Sequence, residues 1–302
     1  MATTLRSAAR SVAALLATTA LAAGPAFAEH LTPDSLSKIP VPGATHTEPY
    51  GPDPLEYGEL RVPKGAGPFP LVIIVHGGCW TSGFATLSYL RPLAADLAAK
   101  GVASWNIEYR QIGDKGGAWP GTFQDWAVAT DHIRALAKAY PLDLSRVVVI
   151  GHSAGASGAL WIAARANVPA QSPIHGAHPL KIAAAIAIDG PGDLKAFIGP
   201  DQQICGGPVI AQLMGGSPAQ VPARYAQANP IQLLPSHVPS TLDAAVVLSP
   251  DAAQAYRAAA TAKGDRVEVR AFSGIGHFDM LSPDTPTGKI VEAEILHAVG
   301  HQ

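Results

Sequence analysis

Apolar positions along the chain fall into blocks whose spacing predicts strands and helices in turn. Leu71–Val75 and Arg146–Ile150 are short β-branched runs that read as buried strands, and the apolar run Ile182–Ile188 reads as a third. Gly101–Glu108 reads as another interior strand and Glu59–Val62 as an edge strand, while Arg266–Phe272 alternates with period two. Leu87–Lys100 and Gln124–Ala139 carry apolar residues at helical spacing. Strands alternating with helices predict an α/β fold, with a mainly parallel central sheet flanked by helices and a site outside its carboxyl ends. Residues 190–235 are richer in Gly, Pro and Gln and read as a small cap of short helices, inserted in a single domain spanning 29–302.

Composition narrows the function classes. A chain of 302 residues, 48% of them hydrophobic, can bury one large core. Charged residues make up 15% and the net charge is −2, so no basic face points to nucleic acid or to an anionic lipid surface. The first 28 residues read as a signal peptide. Arg6 and Arg10 form a basic start, Ser11–Ala23 an apolar stretch, and Ala26-Phe27-Ala28 a cleavage site that predicts a mature start at Glu29. The expected location is therefore periplasmic or secreted. No other run approaches the roughly 20 apolar residues of a membrane span.

Gly151-His152-Ser153-Ala154-Gly155 follows a predicted strand and opens a small-residue, helix-compatible stretch. A serine on such a strand-to-helix turn is held with its hydroxyl exposed, which makes Ser153 the candidate nucleophile. Leu71–Val75 ends in His76-Gly77-Gly78-Cys79-Trp80. Glycine backbone there suits an oxyanion hole, read as the N–H groups of Gly77 or Gly78 with that of Ala154. His76 is expected to orient this loop, and His152 to face away from the serine. A serine hydroxyl needs a base, and His277, in the glycine-bearing loop after the Arg266–Phe272 strand, is the candidate.

These pieces, together with Asn106-Ile107-Glu108-Tyr109-Arg110 and Gly276-His277-Phe278, resemble an α/β-hydrolase of the esterase and lipase group, close to secreted bacterial hydrolases with an HGG-x-W loop. The resemblance covers about residues 45–300. It implies a serine carboxylesterase-type hydrolase without metal or cofactor, acting on a small-molecule ester or amide as a monomer or weak homodimer. Arylformamidases of the same fold share the HGG-x-W loop, so amide hydrolysis is the runner-up, and a non-catalytic binding protein is the reading from another class. The family places a triad acid after the strand that precedes the last βα unit. Asp243 has the best spacing to Tyr256 and His277, although the strand before it is nearly missing. If Ala244–Leu248 is itself the strand, Asp251 follows it. Asp189, ending Ile182–Ile188, is a third candidate, because some relatives carry the acid one strand earlier. Glu108 and Arg110 are expected to form a structural pair, and Trp80, Tyr109, Trp119 and Phe278 to lie near the pocket. The two cysteines, Cys79 and Cys205, both fall on the site's side of the sheet. An oxidising compartment would let them pair across the cap, and two separate buried thiols are the alternative.

Overall fold

The β-branched runs do form the middle of one sheet. The computed structural model describes Met1 and residues 30–300, so the segment read as a signal peptide lies, apart from Met1, outside the described residues. The strands are β1 (His46–Pro49), β2 (Tyr57–Arg61), β3 (Phe69–Val75), β4 (Ala103–Ile107), β5 (Leu142–His152), β6 (Ala184–Ile188), β7 (Ser240–Ala244) and β8 (Val267–Ala271). They lie in the order β1-β2-β4-β3-β5-β6-β7-β8. The pairs from β4 through β8 are parallel, whereas β1 and β2 join antiparallel.

The helices are α1 (Pro33–Ser37), α2 (Arg91–Ala99), α3 (Gly121–Ala139), α4 (Ala154–Ala164), α5 (Pro200–Ile204), α6 (Val209–Met214), α7 (Pro222–Ala228), α8 (Pro250–Thr261) and α9 (Pro286–Ala298). The period-two alternation along β3 divides the core between the two faces of the sheet. Leu71, Ile73 and Val75 pack on one side with Trp105, Trp126 and Trp161, while Val72 and Ile74 pack on the other with Leu93, Leu97, Val291 and Ile295. Residues 190–235 hold α5, α6 and α7.

Two expectations about strands need correction. The segment read as the edge strand Glu59–Val62 is β2, second from the edge, because β1 pairs outside it with Thr47 opposite Glu59. A strand's own pattern does not reveal whether another chain segment will cover its free side. Ala244–Leu248 is not a strand either. β7 ends at Ala244, and residues 245–248 bend away as a loop.

Register brings the carboxyl ends of the central strands together. Val75 lies opposite Gly151, His152 opposite Ile188, and Ile188 opposite Asp243. The loops that follow β3, β5, β6, β7 and β8 therefore converge. Cys79 and Cys205 are joined as a disulfide, tying the loop after β3 to the end of α5 across 126 residues of sequence. In the chain-entropy account a closed loop of that length stabilises by up to about 5 kcal/mol. Denaturant unfolding with and without reductant should show a lower midpoint for the reduced protein. Identical midpoints would show that the bridge contributes no stability.

Candidate active site

Ser153 occupies a backbone conformation that few side-chain-bearing residues adopt, at φ 57° and ψ −122°. Such a turn costs on the order of 1–3 kcal/mol and persists only where neighbours hold it. Here the Ser153 N–H donates to the Ile188 carbonyl at 2.8 Å, anchoring the turn to β6. Gly155 lets α4 begin close to β3, since a Cβ there would stand 2.2 Å from the Val75 carbonyl oxygen. The Ala154 amide lies at the start of α4, where a helix leaves its N–H groups without internal acceptors.

The loop after β3 is held from beneath by His76. Its Nδ1 lies 2.6 Å from the Gly77 carbonyl oxygen, and its Nε2 lies 2.6 Å from Glu108 Oε1. The Tyr109 hydroxyl donates to the His76 carbonyl at 2.8 Å, and the two rings stack at 4.3 Å. Burial would raise the pKa of Glu108, but the charge and hydrogen bond of His76 and the amides of Leu87 and Tyr109 outweigh it and hold the group below the usual carboxylate range. Glu108 and Arg110 do not form the expected pair. Glu108 serves His76, and Arg110 instead reaches Asp125 and Glu56.

Gly77 packs against the serine turn, and a Cβ on it would lie 2.7 Å from both the Ser153 Cβ and the His152 carbonyl oxygen. Its N–H donates to the Tyr89 hydroxyl oxygen. His152 Nε2 lies 3.0 Å from the His277 carbonyl oxygen and so carries the ring proton and donates to it, which leaves Nδ1 to accept from the Tyr89 hydroxyl at 3.1 Å. Burial, with the charge of His277, pushes the pKa of His152 well below the ordinary histidine value, which keeps the ring neutral in this role. Gly77 is thus corrected as an oxyanion donor, because its N–H is already engaged. Gly78 follows at φ 114°, a conformation suited to glycine, and among the described residues nothing accepts its N–H. Tyr89, which engages the Gly77 N–H, has no motif that would single it out in sequence.

His277 sits beside the serine turn, its ring 4.2 Å from that of His152 and 4.9 Å from that of Phe278. Its Nδ1 lies 2.6 Å from Asp189 Oδ2. Asp189 directly follows β6, is fully buried, and takes φ 46°. Its carboxylate accepts backbone N–H groups from Ala245, Val246, Val247 and Leu248 at 2.9–3.0 Å. Burial favours the protonated acid, yet the hydrogen bond and charge of His277 and the amides of Leu248 and Val246 prevail and lower its pKa.

Asp243, the best-spaced acid in sequence, is not the partner of His277. It lies within β7, opposite Ile188 and Arg270, and only its backbone carbonyl reaches Asp189, accepting the Asp189 N–H at 2.8 Å. Neither of its carboxyl oxygens has a hydrogen-bond partner among the described residues. Burial and the neighbouring Glu294 carboxyl raise its pKa well above the carboxylate range, against the opposing charge of Arg270. Burial raises Glu294 as well, although Arg270 Nη1 lies 3.1 Å from its Oε2. Asp251 is in the first turn of α8. The signal that points to Asp189 is its place at the carboxyl end of a central strand, next to Gly190.

A narrow crevice of about 10 Å³ lies over Ser153 and Ala154, with Trp80, Phe197 and the disulfide in its walls. Of the other aromatics expected near it, Tyr109 is buried under the loop, Phe278 packs on His277, and Trp119 packs with Phe123 beneath Arg224. Among the described residues no cluster of three or more His, Cys, Asp or Glu side chains has a metal-binding arrangement. No helix described is long and apolar enough to cross a membrane.

Residues 60–243 match the BD-FAE family. Esterase EstD of Thermotoga maritima is 31% identical over 104 residues, which is 33% of this chain and 25% of that one, so the match spans about a quarter of that relative's length. Among solved structures, esterase B from Lactobacillus rhamnosis superposes with a TM-score of 0.71 at 19% identity, covering 88% of this chain and 89% of that one. A propionate-bound esterase from Thermogutta terrifontis superposes with a TM-score of 0.67 at 20% identity, covering 86% and 96%. These likenesses show the α/β-hydrolase fold.

The buried acids generate a prediction about pH. With pKa values raised in the folded protein, Asp243 and Glu294 retain protons above the roughly pH 4 at which unfolded carboxyls release them. In that window the unfolded chain binds fewer protons, so stability falls as pH rises. Asp243→Asn removes one of these carboxyls. Its melting temperature should fall less between pH 5 and pH 8 than that of the parent, and parallel curves would refute the assignment.

Proposed function

The chain belongs to the BD-FAE family, and on that footing we propose that it is a serine hydrolase cleaving carboxylic esters by acyl transfer. The observation that carries the reading is the 2.6 Å contact between Asp189 and His277, on a histidine packed beside the strained serine turn. With His277 Nδ1 committed to Asp189, Nε2 is the ring nitrogen left to receive a proton. In the proposed reaction the Ser153 hydroxyl oxygen bonds to the ester carbonyl carbon as His277 takes its proton. The carbonyl oxygen becomes negative and is met by the N–H groups of Gly78 and Ala154. Collapse breaks the bond to the alcohol oxygen, which leaves with the proton from His277. Water repeats the sequence on the acyl-enzyme and releases the acid. Asp189 holds the imidazole tautomer and stabilises the imidazolium without itself being protonated.

Esterase relatives and neighbours support the ester bond as the target, one of them solved with propionate. A periplasmic or secreted location is part of the proposal. The pattern of residues 1–28 and the Cys79–Cys205 disulfide support it, since such bonds persist in oxidising compartments.

The test is turnover of p-nitrophenyl acetate, with N-formylkynurenine as the competing amide substrate. Ser153→Ala should reduce kcat by about 10⁶-fold. Asp189→Asn should cost about 10⁴-fold, the loss seen when a triad acid can no longer hold its histidine. Asp243→Asn should stay within a few-fold of the parent. The reverse ranking of the two aspartates would overturn the triad, a preference for the formamide would move the activity to amide hydrolysis, and turnover of neither would leave a binding protein.

A further inference from the structure

The loop that carries His277 is held by the far end of the chain. Asp279, two residues after the histidine, turns its carboxylate back and accepts the Gly276 N–H at 2.7 Å, bracketing His277. The same carboxylate is met by the amino-terminal segment. Asp279 Oδ1 accepts the Leu31 N–H at 2.8 Å, and Oδ2 lies 2.7 Å from His30 Nδ1, which must donate because a carboxylate only accepts. His30 covers Gly276 so closely that a Cβ there would stand 2.6 Å from the His30 Cβ. Burial would raise the pKa of Asp279, but the Leu31 and Gly276 amides and His30 prevail and hold it below the usual carboxylate range.

The segment is anchored beyond that contact. Thr32 caps α1, its hydroxyl accepting the Ser35 N–H at 3.1 Å while Ser35 Oγ accepts the Thr32 N–H at 2.9 Å. Leu36 is fully buried in the cluster against which Leu31, Ile275 and Phe278 also pack. α1 lies on the turn Leu87–Leu90, with Ser37 Oγ 2.9 Å from Ser88 Oγ. That turn carries Tyr89, whose hydroxyl meets the Gly77 N–H and His152. Residues 30–37 therefore reach from the His277 loop to the Tyr89 turn. The loop's own backbone gives it little support, since Ser273 and Gly274 are exposed and Gly274 sits at φ 70°.

We propose that His30, Leu31 and Asp279 are positioning residues for His277, and that the amino-terminal segment is a strap on which the placement of the base depends. The proposal rests on the ester-hydrolase reading and deepens it. With the strap docked, His277 is held by its ring at Asp189, by its carbonyl at His152, and by the backbone before it at Asp279. Without the strap, Asp279 keeps only the Gly276 N–H of these three donors. Its carboxylate then gains more from water than from one amide, and the bracket around His277 opens. A displacement of about 1 Å in a catalytic group costs on the order of 100-fold in rate.

The experiment is p-nitrophenyl acetate turnover by the chain from Glu29, beside Asp279→Ala, His30→Ala, His30→Asn and Leu31→Pro, each assayed well below its melting midpoint. Proline at position 31 removes the donating N–H and keeps an apolar side chain. Asp279→Ala should lower kcat by about 10- to 100-fold with KM within about twofold, because the base is displaced and the substrate surface is not. His30→Ala and Leu31→Pro should each lower kcat by a smaller factor, and neither should lower it further in the Asp279→Ala background. His30→Asn, which keeps a donor at similar reach, should recover most of the His30→Ala loss. The rate at which a fluorophosphonate labels Ser153 should fall in step with kcat. If Asp279→Ala does not fold, His30→Ala and Leu31→Pro carry the test. Unchanged kcat in the folded variants, a rise in KM alone, or an unmoved labelling rate overturns the strap while the ester reading stands. Absence of Ser153-dependent turnover in the parent overturns the ester reading and the strap together.

Discussion

The Asp189 carboxylate is the point on which three loops depend. It ends β6, receives four successive backbone N–H groups from residues 245–248 after β7, and meets His277 from the loop after β8. A buried charge is tolerated only where it is fully hydrogen-bonded, and here the amides are supplied by a loop that has no other obvious reason for its path. The residues Ala245-Val246-Val247-Leu248 look like strand in sequence. Their N–H groups are instead turned toward one anion, which holds the histidine in a single orientation.

A second chain of contacts links the loop after β3 to the same histidine through the serine turn. Gly77, Tyr89, His152 and the His277 carbonyl are joined in succession, each donor meeting one acceptor. Because His152 Nε2 faces a carbonyl oxygen, which can only accept, the neutral ring carries its proton there, and Nδ1 accepts from the Tyr89 hydroxyl. The loop after β3 and the loop that carries His277 are thereby placed relative to each other by Tyr89 and His152. His76 and Glu108 hold the far side of the loop in the same manner.

The acids divide by environment. Asp189 is surrounded by donors and stays ionised, whereas Asp243, one register position away on the neighbouring strand, faces Glu294 and a single arginine and is pushed toward its neutral form. The same burial acts on both, and the difference lies in the count of donors against acceptors facing each oxygen, His277 and backbone N–H groups at Asp189 and the Glu294 carboxyl at Asp243. Spacing along the chain cannot register that count, so Asp243 looks the better acid until the loop after β7 is placed.

Local pattern alone determines much of this protein. The β-branched runs and the helical spacing between them specify a parallel sheet with flanking helices, and the glycines around Ser153 and after His76 mark where backbone must approach backbone. Those signals are local, since period, sterics and turn chemistry act over a few residues. The outer strand beside β2, the engagement of the Gly77 N–H by Tyr89, the pairing of Cys79 with Cys205 and the choice of Asp189 were decided only by tertiary structure. Each depends on groups from distant segments, and the hydrogen-bond partners and burial that set their chemistry exist only once the strands have taken their order in the sheet.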